Sequence, residues 1–453
     1  MIVYATEIGG NVVRIHLITA ESPDSRRLRF RRLIQFPQLT MPLLAALTPR
    51  EHEVYHTDEI VEAVRFQRPA DLVGITANTP SVLHAYALAD EFCRRGIPVV
   101  LGGPHPTALP DEAMGHADAV LVGEAETTWP RLLEDFERGE LQRLYRATTQ
   151  GPLAGLPAPR WDLIKGRRYG KAVTIATRGC PHHCDYCSIS LLYGPGVRYR
   201  PVDEVAREVA SSPGKALVLW DDNIGANRTY AKDLFSALTP LRRWWTSQCT
   251  VSAADDDEFL ALAARSGCKA LFLGLESISQ ASLDGADKTH NSVDAYRRII
   301  GRFHRHGIAV HAGIMFGFDD DDPGIFARTI DFFERSHLDV ATISMVVPMP
   351  GTQSFSRLEA EGRILTRDWS KYDGKKHCVF RPARMTADQL VAGTEWAARR
   401  FYSWGSIWRR LSGSRCGTWW NLPRNIGYKL ALDQFGNMGR NPAHDFTGPG
   451  AGC

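Results

Sequence analysis

The sequence lacks any apolar run of transmembrane length, and residues 1–7 lack the charged and apolar segments of a secretory leader. Charge of one sign is scarce as well: 54 basic against 51 acidic residues leave a formal +3 over 453 residues. So small an excess excludes a nucleic-acid surface as the main business of the chain. Nine cysteines without a leader point to a reducing, cytoplasmic setting rather than a disulfide framework. Six of them, Cys93, Cys249, Cys268, Cys378, Cys416 and Cys453, read as buried or idle thiols. With 44% hydrophobic residues, the chain can fill sizeable cores in two or three domains.

The other three cysteines carry chemistry. Cys180, Cys184 and Cys187 lie in the run Thr177-Arg178-Gly179-Cys180-Pro181-His182-His183-Cys184-Asp185-Tyr186-Cys187-Ser188. Protein thiolates ordinarily fill every iron of a four-iron cluster, so three in one loop leave one iron open to a small ligand. Zinc and structural thiols are the competing readings. The only CxxC pair, Cys184 with Cys187, has no clear second pair downstream, and His182 and His183 are too close to their neighbouring cysteines for all to converge on one ion. A redox pair has no need of Cys180.

From residue 172 to about 352, six apolar strands (172–176, 217–220, 247–252, 270–274, 309–315 and 342–347) alternate with helical patterns. This order predicts an open, partial β/α barrel, with its chemistry at the carboxyl ends of the strands. Those ends nominate Asp221 and Asp222 after the second strand, Glu276 and Ser277 after the fourth, and Gly317 after the fifth. One of the two aspartates is expected to cap the next helix. The run Asp319 to Asp322 reads as a solvated turn, since a calcium loop needs alternating oxygens and a terminal Glu.

The first 145 residues repeat β-α: strands at 12–19, 53–56, 72–76, 99–102 and 119–122, helices at 41–47, 81–95 and 129–138. A doubly wound, flavodoxin-like parallel sheet is the economical packing, with ligands beyond the strand carboxyl ends. There lie Asn78, Thr79, Ser81 and Leu83, then Gly102 and Gly103, then Gly123 and Glu124. Paired glycines let a backbone approach a bulky ligand. His16 falls inside the first strand and reads as a satisfied sheet histidine. His105, between two prolines, reads as part of a rigid turn. A Pro- and Gly-rich linker spans 146–170.

With its aromatic residue before the last cysteine, the CxxxCxxC loop resembles that of the radical S-adenosylmethionine (SAM) superfamily. The strand-end set of the first domain resembles the cobalamin-binding domain fused in front of many such enzymes, including hopanoid C-3 methylases and anaerobic magnesium-protoporphyrin cyclases. The resemblance implies a [4Fe-4S] cluster on Cys180, Cys184 and Cys187, with S-adenosylmethionine on its open iron and Tyr186 against cluster and adenine. It also implies hydrogen bonds from the ribose or methionine amine to Glu276, which stands in a Gly-x-Glu-Ser run. Asp221, Asp222, Ser277 and Gly317 complete that pocket, while Asn78, Thr79, Ser81, Leu83, Gly102, Gly103, Gly123 and Glu124 line a cobalamin cleft. The Asp-x-His-x-x-Gly motif of one large cobalamin group is absent, so cobalamin is expected base-off, without a histidine ligand. The implied activity is C-methylation of a small-molecule or lipid substrate, with flavodoxin or ferredoxin as electron donor. A radical cyclisation, rearrangement, oxidation or carbon–carbon coupling without methyl transfer is the alternative, and a non-catalytic metal-binding scaffold a third reading.

Residues 353–453 change composition: Trp369, Trp396, Trp404, Trp408, Trp419 and Trp420 fall among Arg399, Arg400, Arg409, Arg410 and Arg415. A helix over 395–411 and a helical subdomain capping the barrel are expected, with peripheral membrane contact through Trp and Arg as a second reading. The tail 441–453 reads as loose.

Overall fold

The computed structural model describes residues 12–22, 36–147, 150–164, 169, 171–414 and 416–436. The tail 441–453, Arg415 and Cys453 lie outside the described residues. The chain forms two compact units, one from β1 and residues 37–169 with 188–194, the other from Phe36 with residues 171–187 and 195 onward.

The first unit is a six-stranded sheet in the order β2-β1-β3-β4-β5-β6, every neighbouring pair parallel. Its elements are β1 (Arg14–Thr19), α1 (Thr40–Leu47), β2 (Glu53–Asp58), β3 (Leu72–Thr76), α2 (Val82–Arg94), β4 (Val99–Gly102), α3 (Pro104–Ala108), β5 (Ala119–Val122), α4 (Thr128–Glu137), β6 (Leu144–Arg146) and α5 (Ile189–Tyr193). The sixth strand has only three residues, too few for an apolar pattern to announce it. Strands β3 and β5 are buried along their whole length, as a parallel sheet covered on both faces demands. Trp129 of α4 fills the core beside Gly74 of β3, and its Nε1 donates to Thr48 Oγ1 at 3.0 Å. The order reverses between β1 and β3, which places the ligand crevice at the carboxyl end of β3.

In the second unit, six parallel strands run β14-β13-β12-β11-β10-β7. They are β7 (Ala172–Thr174), β10 (Ala216–Leu219), β11 (Trp244–Cys249), β12 (Cys268–Glu276), β13 (Ala309–Phe316) and β14 (Val340–Met345). Strands β7 and β14 are the two edges and do not pair with each other, so the barrel stays open. Beside it stands an antiparallel hairpin, β8 (Thr177–Cys180) with β9 (Gly196–Tyr199). The helices are α6 (Val202–Ser211), α7 (Arg228–Leu238), α8 (Asp257–Arg265), α9 (Gln280–Gly285), α10 (Tyr296–Arg305), α11 (Ile325–Arg335), α12 (Gln353–Ala360), α13 (Ala387–Phe401), α14 (Trp404–Gly413) and α15 (Thr418–Gly436). On β12 the outward residues Leu271, Leu273 and Leu275 are fully buried in the core. Ala270, Phe272 and Gly274 alternate with them and face the other side.

Two sequence expectations need correction. Strand β11 begins at Trp244, three residues before the expected start, because Trp245 is a core residue that packs on Phe235. The expected helix over 395–411 is two helices, broken where Ser403 turns extended and its side chain caps Ser406 N. In the C-terminal helices Leu390, Ala397, Phe401 and Tyr402 join the barrel's core.

Two fully buried polar residues fasten those helices. The Arg410 guanidinium donates to the carbonyls of Leu338, Asp339 and Phe401 and to Asn425 Oδ1, all at 2.8–2.9 Å, and lies over the Phe401 ring. The Asp339 carboxylate receives His304 Nε2, Val310 N, Ser414 Oγ and Asn421 Nδ2. Among the described residues, His304, Asp339 and Cys416 are the only three-ligand set with donor atoms all within 4.8 Å of one another. Asp339 is so fully hydrogen-bonded that this set reads as a structural tie.

Candidate active site

The cysteine loop leaves the carboxyl end of β7 through hairpin strand β8, which ends on Cys180. Two aspartates brace it from behind. Asp221 Oδ1, on a residue with no exposure, accepts Ala176 N at 2.9 Å and also Thr177 N, and Asp222 Oδ2 accepts Gly179 N at 2.8 Å. Both therefore hold loop backbone, and neither caps a helix: the α7 cap is Asn227. Burial pushes the Asp221 carboxyl up to about 7 against these hydrogen bonds. Asn223, the third polar residue after the second strand, is buried beside them, where its side chain hydrogen-bonds Cys180 and opposes the rise that burial imposes on that thiol's pKa.

Cys180, Cys184 and Cys187 are half-buried free thiols. The loop turns back on itself through Cys187 N donating to Cys184 O at 3.0 Å, and it is anchored by Asp185 N to Ala286 O and Ser354 N to Asp185 O. The three sulfurs spread wider than 4.8 Å as a set. Tetrahedral zinc at 2.3 Å per sulfur would hold them about 3.8 Å apart, so the loop suits a larger cluster. Burial pushes the Cys180 and Cys184 thiols up, and Lys288 pulls both back.

Glu276 ends β12 in a left-handed conformation, φ 62°, where the β12–β13 register slips by one residue between Gly274 and Glu276. A non-glycine residue there is strained and persists only because its surroundings hold it. Tyr296 donates its hydroxyl to Leu275 O at 2.6 Å and Asn291 Nδ2 donates to Gly274 O at 2.9 Å, fixing the bulge. The Glu276 carboxylate then folds over Gly274 and Gly313, paired residues at which any Cβ would meet it.

Opposite lies Lys288, its Nζ 3.4 Å from Glu276 Oε1 and both side chains nearly buried. Burial lowers the Lys288 pKa, but Glu276, Cys184 and Cys187 outweigh it and the net direction is up. Burial likewise raises Glu276, against the pull of Lys288. Tyr186 brings a buried hydroxyl toward Glu276 and Cys184, and burial with Glu276 and the thiols drives its pKa upward. Its ring faces Phe318 edge-on. Lys288 lies twelve residues beyond Glu276 past a short helix, and no motif marks it.

Ser277 is buried and accepts Ser279 N, so it serves the turn. Gly317, at φ 105°, packs against Leu390 and donates its N–H to Asp321 Oδ2. The Asp319–Asp322 run is a solvated turn except at Asp321. Asp321 is 2% exposed, accepts Gly317 N, Phe318 N and Ser282 Oγ, and is raised to about 6 by burial. Asp319 pairs with Arg357 and Arg363, and Asp320 with Arg384.

In the first unit, Gly103 opens α3 at φ 99°, where a Cβ would stand 2.5 Å from Thr76 Oγ1. Asn78 and Leu83 are exposed, Gly102, Gly103, Gly123 and Glu124 partly so, and nothing lies within 4 Å of a Cβ placed on Gly123. These residues lie at or just beyond the carboxyl ends of β3, β4 and β5. Thr79 and Ser81 turn inward instead: Thr79 Oγ1 meets His105 Nδ1, and Ser81 Oγ bonds the Asn78 backbone. His16 and His105 are both fully buried, His16 against Thr57 Oγ1 and lowered by burial to about 3.

An open parallel barrel carrying three thiols at a strand end, preceded by a doubly wound domain with a glycine-lined crevice, defines a radical SAM enzyme with a cobalamin-type domain. The comparisons agree: residues 44–133 match the B12 binding domain and residues 174–333 the Radical SAM superfamily. The chain is 31% identical over 361 residues to the bacteriochlorophyllide d C-12(1)-methyltransferase of Chlorobaculum tepidum, covering 77% of this chain and 78% of that one. It is 26% identical to the hopanoid C-2 methylase of Rhodopseudomonas palustris over 73% of this chain and 66% of that protein. A solved structure of the radical SAM methyltransferase TsrM from Kitasatospora setae shares its fold, at TM-score 0.69 and 15% identity, covering 94% of this chain and 100% of that one. The chain belongs to the radical SAM methyltransferases with an N-terminal B12-binding domain, whose cofactors are a [4Fe-4S] cluster, S-adenosylmethionine and cobalamin.

Proposed function

We propose that the protein transfers a methyl group to an unactivated carbon of a small-molecule substrate. The observation that carries this is the convergence of Cys184, Cys187, Tyr186, Lys288 and the strained Glu276 at the carboxyl ends of the barrel strands. The bound cofactors supply the radical and the methyl group. The chain's own part is positional. Cys180, Cys184 and Cys187 hold three irons, and Asp221, Asp222 and Asn223 fix the loop that presents them. The Glu276 carboxylate would accept hydrogen bonds from the ribose or amine of S-adenosylmethionine, with Lys288 opposing the rise that burial imposes on its pKa. Asn78, Leu83, Gly102, Gly103, Gly123 and Glu124 line the corrinoid crevice.

The named relatives act on a bacteriochlorophyllide and on a hopanoid. Methyl transfer is what they share, so the proposal commits to the reaction and not to either substrate. Incubation of the anaerobically reconstituted protein with substrate should yield S-adenosylhomocysteine and 5′-deoxyadenosine together with a methylated product. A product without an added methyl overturns the reading in favour of cyclisation, rearrangement or oxidation.

An external one-electron donor, flavodoxin or ferredoxin, and a reducing cytoplasmic setting belong to the same proposal. Among the described residues no helix is long and apolar enough to cross a membrane. A peripheral lipid contact is supported by Trp404 and Trp408, four residues apart on α14 and 59% and 72% exposed. Absence of co-sedimentation with anionic vesicles removes that contact.

A further inference from the structure

The barrel lumen holds a cavity of about 270 Å³ that extends from Lys171, just before β7, to Trp220, just after β10. Ala270, His311 and Thr342 in its wall are each the third residue of their strand. Trp420, Arg424 and Tyr428, spaced four apart on α15, form another wall, and Phe36, Trp220 and Phe272 add aromatic surface.

The polar groups here are donors that lack acceptors. Ser247 Oγ, Trp420 Nε1 and Arg424 Nη1 are buried without hydrogen-bond partners. Arg424 Nη2 donates to His311 Nδ1 at 3.0 Å, which requires His311 Nε2 to carry the ring proton and donate it to Thr342 Oγ1 at 2.9 Å. That imidazole is neutral, because burial and the two nearby cations hold its pKa well down. Lys171 has no hydrogen-bond or ion-pair partner among the described residues. Burial and Arg424 lower its ammonium to about 8. No aspartate or glutamate lines the cavity among the described residues. Two cations facing one space with no carboxylate are costly, and so are buried donors left unpaired. A bound anion relieves both.

We propose that this cavity binds the anionic end, a carboxylate or phosphate, of the enzyme's substrate, with Lys171 and Arg424 as its ion-pair partners and the aromatic wall taking an apolar body. The inference rests on the methyl-transfer reading only in calling the ligand the substrate. The Phe272 ring in the cavity wall and the Glu276 carboxylate both border Gly313, so the cavity wall reaches the strand-end site. The substrate class is therefore an amphipathic acid, its charge on Lys171 and Arg424 and its apolar body against the aromatic wall.

The test is equilibrium binding to the reconstituted holoenzyme, read by tryptophan fluorescence and ligand-observed NMR. The probes are benzoate, 1-naphthoate and 1-naphthyl phosphate, set against the neutral benzamide and 1-naphthamide. At least one acid is expected to bind near or below about 1 mM, tenfold or more tighter than its amide. Lys171→Met should abolish that preference and Lys171→Arg restore it, with cluster and corrinoid content equal in all three proteins. The carboxylate and phosphate arms distinguish the two anion types. Equal binding of acid and amide, an affinity unmoved in Lys171→Met, or no acid binding in this range overturns the proposal. Because binding is read without turnover, failure of methyl transfer leaves this result standing. Methylation of a neutral substrate alongside no acid binding sinks the anion site alone.

Discussion

The Glu276 carboxylate and the Lys288 ammonium lie 3.4 Å apart with both side chains almost wholly withdrawn from water, and Lys288 opposes the rise that burial imposes on the Glu276 pKa. Removing one leaves a buried charge unpaired, which ordinarily costs 3–5 kcal/mol. Lys288→Met should therefore destabilise the cluster-free protein by about 3 kcal/mol. The double variant Lys288→Met/Glu276→Gln should recover part of the loss. Denaturant unfolding of the four proteins of this cycle is the check, and additive losses would show that the pair does not interact.

Asp221 gives a pH signature. Its folded-state pKa of about 7 is above the ordinary carboxylate value of 3.8, so between pH 4 and 7 the folded protein holds a proton that the unfolded chain has released. Stability from this group is greatest below pH 4 and declines as pH rises to 7, by about 1.4 kcal/mol per unit where the difference is a full proton. Asp221→Asn keeps an oxygen for Ala176 N and Thr177 N and should remove that contribution to the slope. An unchanged stability–pH profile in the variant would contradict the assignment.

Loss of one thiol tests the cluster. Cys184→Ala should reconstitute without the visible absorbance of a four-iron cluster and should not cleave S-adenosylmethionine, while the corrinoid spectrum of the first unit persists. Retention of stoichiometric zinc in the wild-type protein, with no iron uptake, would return the loop to a structural role.

Gly103→Ala places a Cβ 2.5 Å from Thr76 Oγ1 and 3.0 Å from Ala77 N at a backbone φ of 99°. The expected cost is about 1–3 kcal/mol, with lowered corrinoid content and normal iron content. Equal loss of both cofactors would instead report general misfolding.

Legibility in the sequence followed the range of the interactions. The cysteine loop is a contiguous chemical pattern, and β3, β4 and β5 are short apolar runs bounded by turn residues, so both could be read directly. Asp221 and Asp222 were found as strand-end acids, but their acceptor roles depend on where hairpin β8–β9 lies, and four-residue strands carry too little pattern to reveal it. Lys288 and Asn223 become functional only when separate strand ends converge. Asp321 was read with its exposed neighbours as one charge run, although its burial is set by Gly317 and Ser282. The cavity wall on α15 was hidden because that helix contains Pro423 and mixes polar with aromatic residues.

Trp420, Arg424 and Tyr428 share one face of α15, a helix whose neighbours hold it through Arg410 and Asn425. Three of the residues that would choose a ligand are thus carried on one helix outside the sheet, whereas Lys171, the thiols and Glu276 are carried on or beside the strands. Recognition and reactivity can then diverge at separate rates. Exchanging residues 418–436 between relatives is a route to new selectivity that leaves the radical chemistry's own scaffold untouched.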